Sequence, residues 1–223
     1  MSRLLVVIDG PAGAGKSTVA RALAARLGGT YLDTGAMYRA LTLRALRAGV
    51  DLEDGAALER IAREARLELV PAGSGLQVLL DGADVSSEIR SLEVTRSIRW
   101  LAEHPGVRAR LVELQRDFAR AAPGPVVAEG RDLASVVFPH AEVKVYLDAS
   151  AAVRARRRRD ELGPGAPPVE QLQREIEERD RRDAGRAVAP LVRVPEAHHL
   201  DSSDLTREQV LDRLAALADA ARA

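Results

Sequence analysis

The chain has 223 residues, with 33 Lys plus Arg balanced by 33 Asp plus Glu, 46% hydrophobic residues and no cysteine. That length can bury the core of one large α/β domain, and zero net charge argues against a general binder of nucleic acid or of a membrane surface, whose affinity needs an excess of positive charge. Without cysteine there is no disulfide framework, thiolate metal site or thiol nucleophile, and the expected setting is the cytoplasm.

The apolar run at residues 4–8 is too short for a signal peptide or a membrane span and reads as a strand. It leads directly into Gly10-Pro11-Ala12-Gly13-Ala14-Gly15-Lys16-Ser17, which fits G-x-x-x-x-G-K-[ST]. In this pattern the glycines let successive backbone N–H groups close around phosphate oxygens, and a helix starting near Lys16 adds the positive end of its dipole. Lys16 is expected to reach the β- and γ-phosphates and Ser17 to hold Mg²⁺, with Thr18 completing the nucleotide-contacting stretch. Only Lys16 and Lys144 are lysines; the other 31 basic residues are arginines. Lysine at the P-loop of so arginine-biased a chain fits the need for a compact ammonium between phosphates.

Helical periodicity follows at residues 16–27, then a short strand at 30–32 and the segment Asp33-Thr34-Gly35-Ala36-Met37-Tyr38-Arg39. Thr34 is the expected cap of a helix over 36–48, with Arg39 on its first turns. Between residues 63 and 98 the period changes to two, at 67–70 and 76–80 around Pro71-Ala72-Gly73-Ser74-Gly75, which predicts a β-hairpin inserted beside the main sheet. A helix at 107–121 and a strand at 125–128 come next. That strand ends at Glu129-Gly130-Arg131-Asp132, a guanidinium and a carboxylate side by side.

The last third predicts a strand at 143–147, helices at 151–161 and 169–182, a strand at 198–200 and a helix at 206–221 capped within Ser202-Ser203-Asp204. The two arginine-rich helices flank Gly163-Pro164-Gly165-Ala166-Pro167-Pro168, a loop suited to be a lid tip. Arg154, Arg156 and Arg159 read as solvated surface. Arg179, Asp183 and Arg186 lie at helical spacing. His104, His140, His198 and His199 show no metal-ligand spacing.

The expected fold is therefore α/β: a five-stranded parallel sheet with helices on both faces, a small antiparallel insertion and a helical lid. In an open sheet of this kind ligands bind beyond the carboxyl ends of the strands. Arg39 and Arg131 follow strand ends, and converging arginine forks neutralise charge on a transferring phosphoryl group.

These segments carry a resemblance. GPAGAGKS, LDTGAMYRA at residues 32–40, DGADVSSEIR at 81–90, EGRDLASVVFPHA at 129–141 and ERDRRDAGRAVAPL at 178–191 together resemble the bacterial cytidylate kinase family of P-loop nucleoside monophosphate kinases. The resemblance implies transfer of the ATP γ-phosphoryl group to CMP or dCMP. It also implies a core at 1–62, 99–150 and 187–223, a monophosphate-binding insertion at 63–98 and a lid region at 151–186. Arg39, Arg131 and Arg186 would hold the monophosphate or the transferring phosphoryl, Arg108, Asp132, Thr34 and Tyr38 would lie at the base and its surroundings, and Arg179 and Asp183 would hold sugar hydroxyls and adjoining phosphates. Arg157 and Arg158 match lid arginines that approach ATP. Arg99 stands where the family usually has a base-reading serine, and Asp9 and Asp33 are candidate metal carboxylates. A monomer acting on small molecules alone is expected. Two alternatives stay open: a kinase for another acceptor such as UMP or shikimate, and a GTPase-type switch, against which the chain lacks an N-K-x-D motif.

Overall fold

In the computed structural model, which describes residues 4–73 and 75–222, the strands are β1 (Leu5–Asp9), β2 (Thr30–Asp33), β3 (Leu67–Ala72), β4 (Gly75–Leu80), β5 (Ala83–Asp84), β6 (Val126–Gly130), β7 (Val143–Asp148) and β8 (His198–Asp201). The α-helices are α1 (Lys16–Arg26), α2 (Thr34–Arg47), α3 (Gly55–Glu64), α4 (Leu92–Glu103), α5 (Pro105–Ala121), α6 (Ala151–Leu162), α7 (Val169–Ala184) and α8 (Arg207–Ala220). Five strands form the expected parallel sheet, in the order β2-β6-β1-β7-β8, flanked by helices. The hairpin and β5 form a separate antiparallel sheet, with Leu67 opposite Leu80 and Ala72 opposite Gly75.

Two compact units divide the chain, residues 1–29 with 124–223, and residues 30–123. In the first, β1 runs between β6 and β7, and Val6, Val7, Ile8, Val127, Ala128, Val145 and Leu147 are almost wholly withdrawn from water. Such continuous apolar runs suit a parallel strand covered on both faces. In the second unit α2 packs on β4 of the small sheet, and α2 to α5 pack on one another with buried faces that include Leu41, Leu58, Ile61, Leu101 and Leu111.

Every strand of the parallel sheet runs one or two residues past its expected end, and four of the five close on an aspartate. Each of these carboxylates accepts a backbone N–H in the segment that follows it in space. Asp33 caps α2 through Ala36, Asp148 takes Ala149, Asp201 takes Ser203, and Asp9 takes both Leu133 and Ala134. Turns leaving the carboxyl edge of the sheet are thereby fixed by charge-assisted bonds rather than by propensity.

Three expectations are corrected. Asp33, not Thr34, caps α2; Thr34 is its first residue. Helix α8 is capped by Thr206 in a reciprocal box with Gln209, because Ser202 and Ser203 already bond Asp148 and Asp201. Helices α3 and α4 were not expected, although Asp54 and Ser91 cap them with side-chain oxygens. No helix among the described residues is long and apolar enough to cross a membrane.

Gly10, at φ 149, lies so close to β7 that a Cβ there would sit 2.0 Å from the Leu147 carbonyl oxygen. Gly10→Ala should therefore cost about 2–4 kcal/mol from overlap and backbone strain. A urea midpoint unchanged from the parent would show that the loop can move aside.

Candidate functional site

The P-loop links β1 to α1, and its shape is set by left-handed glycines, Gly13 at φ 75 and Gly15 at φ 87. Gly15 precedes the first turn of α1 with no side-chain cap, so the first-turn N–H groups of that helix face outward as an anion site. Lys16 is buried and donates from Nζ to the Pro11 carbonyl at 2.7 Å. Burial first, and then the positive charge of Arg131, push its ammonium down to about 7, against the pull of Glu129 in the other direction.

Ser17 Oγ donates to Glu129 Oε1 at 2.7 Å, which puts a buried carboxylate from the end of β6 beside the P-loop hydroxyl. Glu129 is the carboxylate that sequence reasoning passed over. Asp9 and Asp33 are otherwise occupied as caps, and desolvation pushes Asp9 up to about 6 despite its two N–H bonds. Asp33 also faces Arg90 at 3.6 Å. Among the described residues no cluster of three or more His, Cys, Asp or Glu is arranged to hold a metal.

Beyond the P-loop the first unit gathers arginines around Asp183. Arg131 Nε donates to Asp183 Oδ2 at 3.0 Å, Arg186 donates to Oδ1, and Arg179 Nε lies 3.9 Å away. Burial alone would raise this carboxyl, but the three guanidinium groups outweigh it and hold Asp183 below the ordinary carboxylate range. Helix α7 places Arg179 and Asp183 four residues apart on one face, and Arg186 reaches Asp183 from just beyond the end of the helix. Asp132 is buried at the start of a π-helical turn, Leu133–Val137, whose first two N–H groups are held by Asp9.

The two arginines expected in a lid diverge. Arg157 donates to the Ser202 carbonyl at 2.7 Å and reaches the Ala14 carbonyl at 3.5 Å, whereas exposed Arg158 pairs with Glu161 on its own helix. Arg154, expected at the surface, is instead buried. Its Nε donates to the Ala149 carbonyl and its Nη1 to the Ala12 carbonyl, each at 2.8 Å, and it pairs with Asp180 at 2.5 Å. Nothing in an arginine-rich helix distinguishes this residue by periodicity.

The second unit holds its own set. Buried Thr34 and Tyr38 lie on α2, and Arg39 from the same helix donates to Thr95 Oγ1 at 2.8 Å and to the Ile89 carbonyl at 3.4 Å. Arg108, read from sequence as part of a turn, belongs to the first turn of α5, which His104 caps. It is buried, donates to the Ala102 carbonyl at 2.9 Å and carries its guanidinium 5.5 Å from the centre of the Tyr38 ring. Arg99 is exposed on α4 and stacks on Trp100 at 4.6 Å.

A parallel sheet with a P-loop after its central strand and arginines at its carboxyl edge defines a phosphate-binding α/β protein of the P-loop kind. Residues 6–220 match the family described as cytidylate kinase, and the chain belongs to that family. It is 50% identical over 220 residues to a cytidylate kinase of Pelotomaculum thermopropionicum, covering 97% of this chain and 96% of that protein. A cytidylate kinase of Geobacillus kaustophilus is 48% identical over 214 residues (95% of each), and one of Mycobacterium avium 47% identical over 213 residues (95% of this chain, 93% of that protein). The family uses ATP as its phosphate donor.

Lys16 links phosphate binding to pH. The unfolded chain keeps this proton up to about 10.5 and the fold only up to about 7, so between those limits the unfolded state binds the extra proton and stability rises with pH. Phosphate oxygens beside the ammonium restore its affinity for the proton. At pH 8, ADP binding should take up a substantial fraction of one proton, read by calorimetry in buffers of different ionisation heat, and Lys16→Met should abolish the uptake. Proton-neutral binding by the parent would contradict this reading of Lys16.

Proposed function

We infer that the chain transfers the γ-phosphoryl group of ATP to CMP or dCMP, giving ADP and CDP or dCDP, in pyrimidine nucleotide metabolism. As a member of the cytidylate kinase family it is an ATP-dependent (d)CMP kinase. The observation that carries the mechanism is the convergence of Arg131, Arg179 and Arg186 on Asp183, with Arg131 and Arg179 also acting on the charge of Lys16 in the P-loop. Phosphoryl transfer asks a protein mainly for positioning and for positive charge where the transition state becomes anionic.

In this mechanism residues 10–18 enclose the donor phosphates, with Lys16 on the β- and γ-groups. Arg131, Arg186 and Arg39, which match the family motifs, take the acceptor phosphate and the group in transit. Arg157 and Arg158 turn to the ATP phosphates from the lid, residues 151–186. For Arg158 this means releasing only an exposed ion pair of small worth. Ser17 and Glu129 form a pair of hard oxygen donors suited to Mg²⁺, and they would hold it together with phosphate and water. That ion, when bound, neutralises phosphate charge.

The acceptor is read by residues matching the family motifs. Cytosine offers an amino donor at C4 beside acceptors at N3 and O2, for which the Asp132 carboxylate and the Arg108 guanidinium are complementary. Thr34, Tyr38 and Arg99 complete the surroundings of the base, and residues 63–98 serve as the monophosphate-binding insertion. Arg179 and Asp183 hold the sugar hydroxyls. Asp183 has room for this, since a carboxylate accepts about four hydrogen bonds and two are taken by Arg131 and Arg186. The enzyme works as a cytoplasmic monomer on small molecules, without nucleic acid or membrane.

A panel of nucleoside monophosphates with MgATP, followed by ADP release, should give turnover with CMP and dCMP well above UMP. Folded protein without CMP-dependent ADP formation would overturn the function. Lys16→Ala should lower kcat at least about 100-fold. Asp132→Ala should raise the KM for CMP about 10- to 100-fold and leave that for ATP within about twofold, because an unpaired base edge is costly only on the acceptor side. Equal losses for both nucleotides would return Asp132 to a purely structural role.

A further inference from the structure

Arg154 and Asp180 grip both peptide groups that flank the Ala12 Cα. The Ala12 N–H donates to Asp180 Oδ1 at 3.1 Å, and the Ala12 carbonyl accepts from Arg154 Nη1 at 2.8 Å. The two side chains close the ring by pairing with each other at 2.5 Å. Their side chains are only 8% and 20% exposed, so the pair is screened from water and its bonds are worth more than those of a surface ion pair. Arg154 is further anchored through Nε to the Ala149 carbonyl, immediately before α6.

The chain continues from Ala12 into Gly13 and Gly15, two left-handed glycines whose own preferences leave the loop many conformations. A Cβ on Gly13 would lie 3.2 Å from the Arg154 Cβ and 3.3 Å from its carbonyl oxygen, so the loop is seated directly against the first turn of α6. Arg154 comes from α6 and Asp180 from α7, and these helices pack through Ala155, Leu172 and Ile176 with Val169 against them. The loop between the helices contains the expected lid tip.

We propose that Arg154 and Asp180 are positioning residues for the donor nucleotide: they fix the backbone at Ala12 and thereby set the P-loop amides for phosphate, making donor affinity depend on the pairing of α6 with α7. This rests on the kinase reading. Neither residue touches the reacting atoms. Their geometry also makes a prediction opposite to simple electrostatics, in which deleting a carboxylate near a phosphate site tightens anion binding. Here Asp180→Ala removes the acceptor of the Ala12 N–H and leaves Arg154 without its partner, so the loop loosens and binding weakens.

The measurement is ADP affinity by calorimetry without an acceptor, with steady-state KM values for ATP and CMP and a thermal melt for each variant. Asp180→Ala should weaken ADP about tenfold, the equivalent of one charge-assisted hydrogen bond, and raise the KM for ATP in step while the KM for CMP stays within about twofold. Asp180→Asn, which keeps an oxygen for the Ala12 N–H, should recover part of the loss. Unchanged or tighter ADP binding by folded Asp180→Ala overturns the proposal, as does an equal rise in both KM values. Should Asp180→Ala fail to fold, Arg154→Lys decides, since one ammonium cannot reproduce the planar fork that serves Ala149, Ala12 and Asp180 together. A loss of about fivefold or more in ADP affinity then supports the clamp, and anything smaller rejects it. A parent that binds ADP but turns over no CMP sinks the kinase reading while the binding arm still judges the clamp.

Discussion

Crowding of like charge beside the P-loop is the constraint on which the first unit depends. Arg131 and Arg179 both act on buried Lys16, and the same two arginines with Arg186 act on buried Asp183, where water screens charge less than at the surface. The protein answers in two ways. Asp183 stands among three guanidinium groups and stays ionised although burial opposes it, and Lys16 lowers its own affinity for a proton. An acid near the carboxyl end of a helix is unfavourable against the helix dipole, so Asp183 is held there by its arginines and not by α7 itself.

The same economy shapes the backbone around the site. Strands of a parallel sheet end in loops with unpaired amides, and here aspartates at the strand ends supply the acceptors. Asp9 is the telling case. It leaves β1 at the start of the P-loop and yet bonds Leu133 and Ala134, so one carboxylate fixes where Asp132 begins its turn relative to the P-loop strand. Desolvation makes this costly for Asp9, and the two N–H bonds offset part of that cost.

Elements whose signal is local were legible in the sequence. The P-loop, the five apolar runs and the 67–80 hairpin need only spacing and composition to be recognised, and each stands within two residues of its expected place. What was missed depends on who meets whom. Arg154 sits in a run of arginines that periodicity assigns to solvent, and only the arrival of Ala12 and Asp180 from distant parts of the chain turns it inward. Ser202 and Ser203 look like helix caps until Asp148 and Asp201 claim their hydroxyls. Glu129 lay inside a motif that drew notice for Arg131 and Asp132, and its role shows only when β6 brings it to Ser17. Helix α3 is different: Asp54 with Leu58, Ile61 and Ala62 was a readable cap and stripe, hidden by its short length.

The near-total replacement of lysine by arginine then acquires a physical reading. Arg154 must satisfy two carbonyls and a carboxylate at fixed angles, and Arg131 a carboxylate and a carbonyl, which a planar fork does and an ammonium does not. Lys16 is buried, and Arg131 and Arg179 oppose its charge while Glu129 and Asp9 favour it. A guanidinium cannot lose its proton within the range of protein stability, whereas an ammonium brought down to about 7 by burial and by Arg131 can. Composition bias accounts for the arginines as a group, and a compact ammonium whose proton is held less tightly than a guanidinium's fits the charged surroundings of Lys16 at the P-loop.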